Sequence, residues 1–206
     1  MKTNFESAKK FVEMKRRHNH ESLSGPGSHL SNAKEVISLV NNTVKKYNIQ
    51  SILDLGCGDF NWLKEVDLKN VKYMGWDACP KMIENNNKKY GNNDVKFFTK
   101  DIVLEHYPNV DLIICRDVLF HMKKSISKKI INNVKNKCKY FISTSFKKVN
   151  KNSGIGESLD WDFYLINLDI EPFNLKPYEI DHELETKNYW QSALAVEPRF
   201  VCLYRL

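Results

Sequence analysis

The chain has 206 residues, 42% of them hydrophobic and 28% charged, which is typical of one globular domain over residues 1–206 and unlike a disordered chain. No apolar run approaches the roughly 20 residues that span a bilayer, and residues 1–20 lack a signal peptide's apolar core, so we expect a cytoplasmic protein with no membrane partner. The net charge of +7 would attract an anionic substrate, but no basic stripe interleaved with aromatic residues occurs, so nucleic-acid binding is left open and not favoured.

The cysteines and histidines do not predict a metal site. The five cysteines are widely separated and form no C-x-x-C pair, which indicates free thiols rather than zinc ligands. His18 and His20 are two residues apart and cannot share a helix face. We therefore expect no structural metal, and the sequence leaves the oligomeric state open.

The first 47 residues predict two helices separated by a turn. Residues 3–20 have helical apolar spacing and end in a basic run containing Arg16 and Arg17. A solvated face is the simpler interpretation of these arginines, and contact with an anionic group of the substrate is the alternative. The serine- and glycine-rich residues 22–28 predict a loop, after which Ser31 or Asn32 could cap the second helix.

Residues 51–62, SILDLGCGDFNW, predict a buried strand, a tight turn and the start of a helix. Gly56 and Gly58 allow the backbone to turn and to approach a ligand closely. Asp54, near the carboxyl end of the strand, is expected to face the crevice where open α/β sheets bind ligands. The G-x-G-x-x-G dinucleotide fingerprint is excluded, because Asn61 stands where its third glycine would be.

The acidic residue followed by G-x-G resembles motif I of the class I S-adenosylmethionine-dependent methyltransferases. This resemblance implies a Rossmann-like, doubly wound α/β sheet of seven strands, mostly parallel with a C-terminal antiparallel hairpin, and S-adenosyl-L-methionine as cofactor. Phe60 departs from the family, which often has a small residue there. The resemblance also makes residues 25–30 a candidate lid over the cofactor, with a plain linker as the alternative.

Two further predicted strands end in acidic residues. Residues 71–76 lead to Asp77, whose carboxylate could accept hydrogen bonds from both ribose hydroxyls of a nucleotide. Residues 94–99 lead to Asp101 and Ile102, which by the resemblance would lie at the adenine. The resulting candidate cofactor residues are Asp54, Gly56, Cys57, Gly58, Asn61, Trp62, Asp77, Ala78, Asp101, Ile102 and Arg116.

Residues 110–115 form the most apolar predicted strand, and Asp117 and His121 follow it. In the methyltransferases that this chain resembles, residues after the fourth strand lie beside the transferred methyl group. Histidine titrates near neutral pH, so His121 could accept a proton from an acceptor hydroxyl while Asp117 orients it, if the segment is helical. A histidine that only packs or bonds to backbone is the alternative.

The remaining chain predicts a helix over residues 125–135, a strand over 139–144 and a final hairpin from runs 190–196 and 200–206. Residues 147–188 are aromatic-rich and too long for an ordinary loop, which favours an acceptor-binding insertion with Trp161 and Tyr164 in contact with substrate. The stretches GSHL, CRDVLFHM and NLDIEPFNLKP resemble a bacterial-type group of methyltransferases of largely unassigned substrate, some associated with surface glycans.

Together these features predict a methyltransferase that modifies an oxygen of a small polar acceptor, such as a sugar or nucleotide-linked sugar. Two alternatives remain open. The acceptor could be RNA or protein, or the chain could bind the cofactor without catalysis.

Overall fold

The computed structural model of the chain describes residues 21–152, 165–178, 184–186 and 199–206. The predicted helix over residues 3–20 and the predicted strand over 190–196 lie outside the described residues. The candidate substrate contacts Arg16, Arg17, Trp161 and Tyr164 also lie outside them. The chain divides into two compact units, residues 1–105 and 106–206.

The first unit alternates helices and strands. In chain order, its elements are a 3-10 turn (Pro26–Ser28), α1 (Leu30–Tyr47), β1 (Ser51–Leu55), a 3-10 turn (Leu63–Glu65), β2 (Lys72–Asp77), α2 (Pro80–Tyr90) and β3 (Val95–Thr99). The three strands are parallel and lie in the order β3-β2-β1. Leu55 is paired with Trp76, and Asp77 with Thr99, so the strands end at one edge of the sheet.

The start of α1 differs from the prediction. The N-cap is His29, and neither Ser31 nor Asn32 caps the helix, because both lie inside its first turn. The backbone amide of Leu30 instead donates to Glu21 Oε1 at 2.9 Å. A carboxylate nine residues earlier therefore satisfies one of the amides that a local cap would have taken.

The side chains of Phe97 and Cys57 pack closely against a glycine in β2, Gly75. A Cβ atom on Gly75 would lie 2.7 Å from Phe97 Cδ1 and 2.9 Å from Cys57 Sγ. Both distances are shorter than van der Waals contact, so a larger residue at this position would force the neighbouring side chains or the backbone of β2 to shift.

The second unit consists of β4 (Val110–Cys115), a 3-10 turn (Leu119–His121), α3 (Lys124–Lys135), β5 (Cys138–Ser145), β6 (Leu184–Thr186) and β7 (Arg199–Arg205). Strands β4 and β5 are parallel, whereas β7 is antiparallel to both β5 and β6. The observed class is therefore α/β, mostly parallel with antiparallel strands at the C-terminus, as predicted. Within the described ranges, no helix is long and apolar enough to cross a membrane.

Two asparagines fasten the described part of the insertion. The Asn152 amide nitrogen donates to the carbonyls of Asn167 at 2.7 Å and Glu171 at 2.8 Å, and its oxygen accepts from the Asn167 amide at 2.8 Å. The Asn167 side chain in turn donates to the carbonyl of Val149 at 2.8 Å. These bonds, two of them fully buried, join residues 147–152 to 165–171, and the Leu168 amide donates to Ser145 Oγ at the end of β5.

Candidate functional site

The turn after β1 has the conformation that its glycines make possible. Gly56 and Gly58 have φ angles of 78° and 57°, in the left-handed region that residues with a Cβ rarely adopt. The backbone amides of Gly56 and Cys57 both donate to the carbonyl of Trp76 in β2, at 2.8 and 3.0 Å. The turn is thus held against the end of the neighbouring strand.

Phe60 also has a left-handed backbone, with a φ angle of 61°. Its ring is 4% exposed and lies 5.0 to 5.3 Å, centroid to centroid, from the rings of Tyr73, Tyr90 and Phe97. Aromatic contacts of this kind offset the backbone cost of about 1 to 2 kcal/mol. The large Phe60 side chain, which stands where the methyltransferases that this chain resembles often have a small residue, is therefore packed in the core.

Asp54 lies in β1 and is 3% exposed. The Tyr73 hydroxyl donates to its Oδ2 at 2.8 Å. Burial raises the pKa of Tyr73 well above its usual value, and the nearby Asp54 carboxylate raises it further, so the phenol stays protonated as a donor. One oxygen of the motif I carboxylate is therefore bonded within the core of the first unit.

Asp77 ends β2 beside the glycine turn. Its Oδ2 accepts from the Gly58 amide at 3.0 Å, and its Oδ1 accepts from the Cys79 amide at 2.9 Å. Burial raises the pKa of this carboxyl above its ordinary value, although the amides of Cys79, Gly58 and Ala78 oppose the rise. Each oxygen keeps further acceptor capacity, since an ionised carboxylate has about four lone-pair sites.

The other candidates in the first unit lie in the turns that follow β1 and β3. Asp101 is 5% exposed, and its Oδ1 accepts from the Val103 amide at 2.9 Å, while Ile102 beside it is also buried. Trp62 is buried just before the turn at Leu63–Glu65. The Asn61 amide nitrogen donates to Glu21 Oε1 at 2.6 Å and to the Ser28 carbonyl at 2.9 Å, so this side chain contacts the segment before α1.

These residues fit an adenosine-containing cofactor. The left-handed glycine turn provides a backbone surface without Cβ atoms, and Asp77 places a carboxylate opposite it at the end of the adjacent strand. Open α/β sheets bind nucleotides at this edge, with an acidic side chain on the ribose.

In the second unit, Asp117 follows β4 with a left-handed φ of 57°, outside any helix. Its Oδ1 accepts from the Thr144 hydroxyl at 2.8 Å, and Arg199 Nη1 donates to its Oδ2 at 3.0 Å. Arg116 Nη1 lies 3.5 Å from the same Oδ2. Burial alone would raise the pKa of Asp117, but Arg116, Arg199, the Thr144 hydroxyl and His121 together lower it.

His121 ends the 3-10 turn after β4 and is exposed, with its ring centroid 4.4 Å from that of Phe120. Because Asp117 lies before this turn, the two residues do not share a helical face as the sequence suggested. His121 nevertheless lowers the pKa of Asp117 through its charge, although its effect is smaller than those of Arg116, Arg199 and the Thr144 hydroxyl. Within the described residues, no group of three or more His, Cys, Asp or Glu side chains could hold a metal ion.

Sequence reasoning missed several side chains at these positions. They are Ser22, Ser24, Asp59, Tyr73, Thr144 and Arg199. The polar run Ser-Thr-Ser that ends the apolar β5 could have indicated Thr144. The serine partners of Asp59 lie 35 to 37 residues away in the chain, and Arg199 lies 82 residues from Asp117, so no local pattern indicates these contacts.

Comparison with known proteins agrees with this geometry. A methyltransferase domain family matches residues 52–139. The N-methyltransferase NodS from Bradyrhizobium japonicum, solved with S-adenosyl-L-homocysteine, has a TM-score of 0.68 at 12% identity, covering 99% of this chain and 98% of that one. Magnesium protoporphyrin IX methyltransferase from Synechocystis, solved with bound S-adenosylmethionine, has a TM-score of 0.59 at 18% identity, covering 95% and 84%. No curated protein matches the sequence.

The solved structures show that the fold is shared. The matched domain begins in β1 and ends in β5, so it contains the glycine turn, Asp77, Asp101 and the residues after β4. Residues 52–139 therefore match a methyltransferase domain, and the chain has the fold of solved S-adenosylmethionine-dependent methyltransferases.

Proposed function

We propose that the chain methylates an oxygen of a small polar acceptor, such as a sugar or nucleotide-linked sugar. S-adenosylmethionine supplies an electrophilic methyl group on its sulfonium. The candidate cofactor residues of the first unit bind and orient the cofactor. Asp77 accepts the ribose hydroxyls, while Asp101 and Ile102 contact the adenine.

The observation that carries oxygen as the nucleophile is an exposed His121 in the turn directly after β4. When a hydroxyl takes a methyl group, the new C–O bond forms as the C–S bond breaks, and the hydroxyl proton must leave. An exposed imidazole can accept that proton, whereas positioning accounts for most of the remaining catalysis. Asp117 keeps a negative charge close to the imidazolium that forms.

Other predictions from the sequence stay proposals. They are the single domain over residues 1–206 with its seven-stranded sheet, the N-terminal helices and lid within 1–47, the acceptor insertion over 147–188, and the cytoplasmic location. Arg16 and Arg17 would contact an anionic group of the acceptor, and Trp161 and Tyr164 would stack on its ring.

Incubation with methyl-labelled cofactor tests the acceptor class. The protein is offered separated small-molecule, glycan, RNA and protein fractions, and mass spectrometry of the labelled product identifies the methylated atom. We expect label on oxygen in the small-molecule or glycan fraction. Label in RNA or protein would replace the proposed acceptor, and intact cofactor binding with no transfer to any fraction would favour a binding protein without catalysis.

The substitution His121→Ala tests the proposed base. We expect turnover to fall by about 10- to 100-fold, since a positioned base contributes about 100-fold, while affinity for S-adenosylhomocysteine stays unchanged. His106→Ala is the matched control, because His106 is an exposed histidine of the same unit that precedes β4. Equal losses of turnover and cofactor affinity in His121→Ala would assign the side chain a structural role.

A further inference from the structure

An acidic residue in the glycine turn binds the segment that precedes α1. Asp59 directly follows Gly58, and its carboxylate lies against residues 22–24. The Ser22 hydroxyl is 2.9 Å from both carboxylate oxygens, the Leu23 amide donates to Oδ2 at 2.6 Å, and the Ser24 hydroxyl donates to Oδ1 at 3.0 Å. One carboxylate thus binds three consecutive residues that are 35 to 37 positions away.

The contact is reciprocal. The Asp59 amide donates to Ser24 Oγ at 2.9 Å, and the Ser24 amide donates to Ser22 Oγ at 3.1 Å. Ser22 is fully buried, so its hydroxyl would be left without a strong acceptor if the carboxylate were removed. Asn61, two residues further along the turn, fastens both sides of the same segment through Glu21 and the Ser28 carbonyl.

Residues 22–24 also contact the elements on either side of Asp77. The half-buried Leu23 packs against Cys79 and Met82, which lie just beyond β2. A Cβ atom on Gly58 would overlap the Ser24 hydroxyl oxygen. The segment therefore lies directly on the two backbone stretches, at Gly58 and Cys79, whose amides donate to the Asp77 carboxylate.

We propose that Asp59 is a positioning residue, which holds residues 22–24 on the glycine turn and so pre-organises the turn for the cofactor. The inference rests on the cofactor residues assigned under the proposed function. The 3-10 turn Pro26–Ser28 makes its backbone hydrogen bonds within its own segment, so the side-chain bonds of Asp59 and Asn61 set the position of that segment on the glycine turn. A site that is ordered before its ligand arrives loses less entropy on binding and binds more tightly.

Titration of S-adenosylhomocysteine into wild type and Asp59→Ala tests the inference. We expect the variant to bind about ten-fold more weakly, and Asp59→Asn to be intermediate because one oxygen can still accept from the Leu23 amide. Asp67→Asn is the matched control: this exposed carboxylate of the same unit accepts only a nearby backbone amide, from Lys69, among the described contacts. Unchanged or tighter binding in Asp59→Ala would overturn the proposal, and tighter binding would show that the segment blocks the site.

Two further measurements separate positioning from general destabilisation. In the free protein, Asp59→Ala should speed hydrogen exchange of amides 21–30 while leaving those of β1, β2 and β3 unchanged. In a double-mutant cycle on cofactor affinity, Asp59→Ala and Ser24→Ala should be coupled, because each removes the same contact. Additive effects, or faster exchange throughout the unit, would contradict the proposal. Absence of any binding by the wild type would instead refute the assigned cofactor site, and the inference with it.

Discussion

The substitution Asp117→Ala should destabilise the second unit by about 3 to 5 kcal/mol, because it removes one partner from a buried ion cluster. The Arg116 and Arg199 side chains are 2% and 6% exposed, and both guanidiniums lie within 3.5 Å of Asp117 Oδ2. Without the carboxylate, two buried positive charges would face each other at the ends of β4 and β7. Hydrogen exchange of β5 and β7 amides would report the loss, since these strands pair beside the cluster.

The loss of stability in Asp117→Ala should depend on pH, because the pKa of Asp117 is lowered in the folded protein. A carboxyl whose pKa is lower in the folded state stabilises the fold above its unfolded value, near 3.9, and loses that contribution as the pH falls through the folded value. The stability difference between wild type and variant should therefore be full at pH 7 and shrink below about pH 4. A constant difference across this range would contradict the ion cluster as its cause.

A surface carboxylate provides the control. Glu84 pairs with Lys81 one helical turn away, with side chains 67% and 56% exposed. Exposed pairs contribute about 0 to 1 kcal/mol, so Glu84→Ala should change stability little. If Asp117→Ala were as mild as this control, the ion cluster would not be a main source of stability in the second unit.

Elements with a complete local pattern were predicted well. β4 was placed at Val110–Cys115, where five of the six residues are apolar. The helix predicted over residues 125–135 was also found, at Lys124–Lys135, because its apolar residues recur at helical spacing. β6, at Leu184–Thr186, was not predicted, since three residues around a glutamate carry no alternating pattern.

In the candidate site, too, some residues are indicated by a local sequence pattern and others are not. Gly56, Gly58 and Asp77 follow from strand ends and spacing, and the structure brings them together across one hydrogen bond from the Gly58 amide. Asp59 and Arg199 depend on side chains brought together by the fold from distant parts of the chain. Their types alone, an acid in a turn and an arginine before an apolar run, indicate nothing specific.

The largest effect on the cofactor is expected at the carboxylate that ends β2. Asp77→Ala should weaken binding of S-adenosylhomocysteine about 10- to 150-fold, because hydrogen bonds to a charged group contribute about 1.5 to 3 kcal/mol. Asp94→Ala is the control, since this half-exposed carboxylate precedes β3 in the same unit and pairs with Lys72. Calorimetric titration of both variants measures the difference. If Asp77→Ala bound S-adenosylhomocysteine as tightly as wild type, Asp77 would not contact the ribose.

Asp77 should also make cofactor binding pH-dependent. Burial raises the pKa of its carboxyl, so the ionised form, which accepts two ribose hydroxyls, is lost on acidification at a higher pH than for an ordinary aspartate. The ribose hydroxyls donate to the ionised carboxylate and so favour it. Cofactor binding at a pH near the raised pKa of Asp77 should therefore release protons from the protein. The measured heat of binding should then vary with the ionisation enthalpy of the buffer that takes up these protons. Asp77→Asn, which keeps the shape but cannot ionise, should bind weakly with no such proton release. Proton release that persists in this variant would place the titrating group elsewhere.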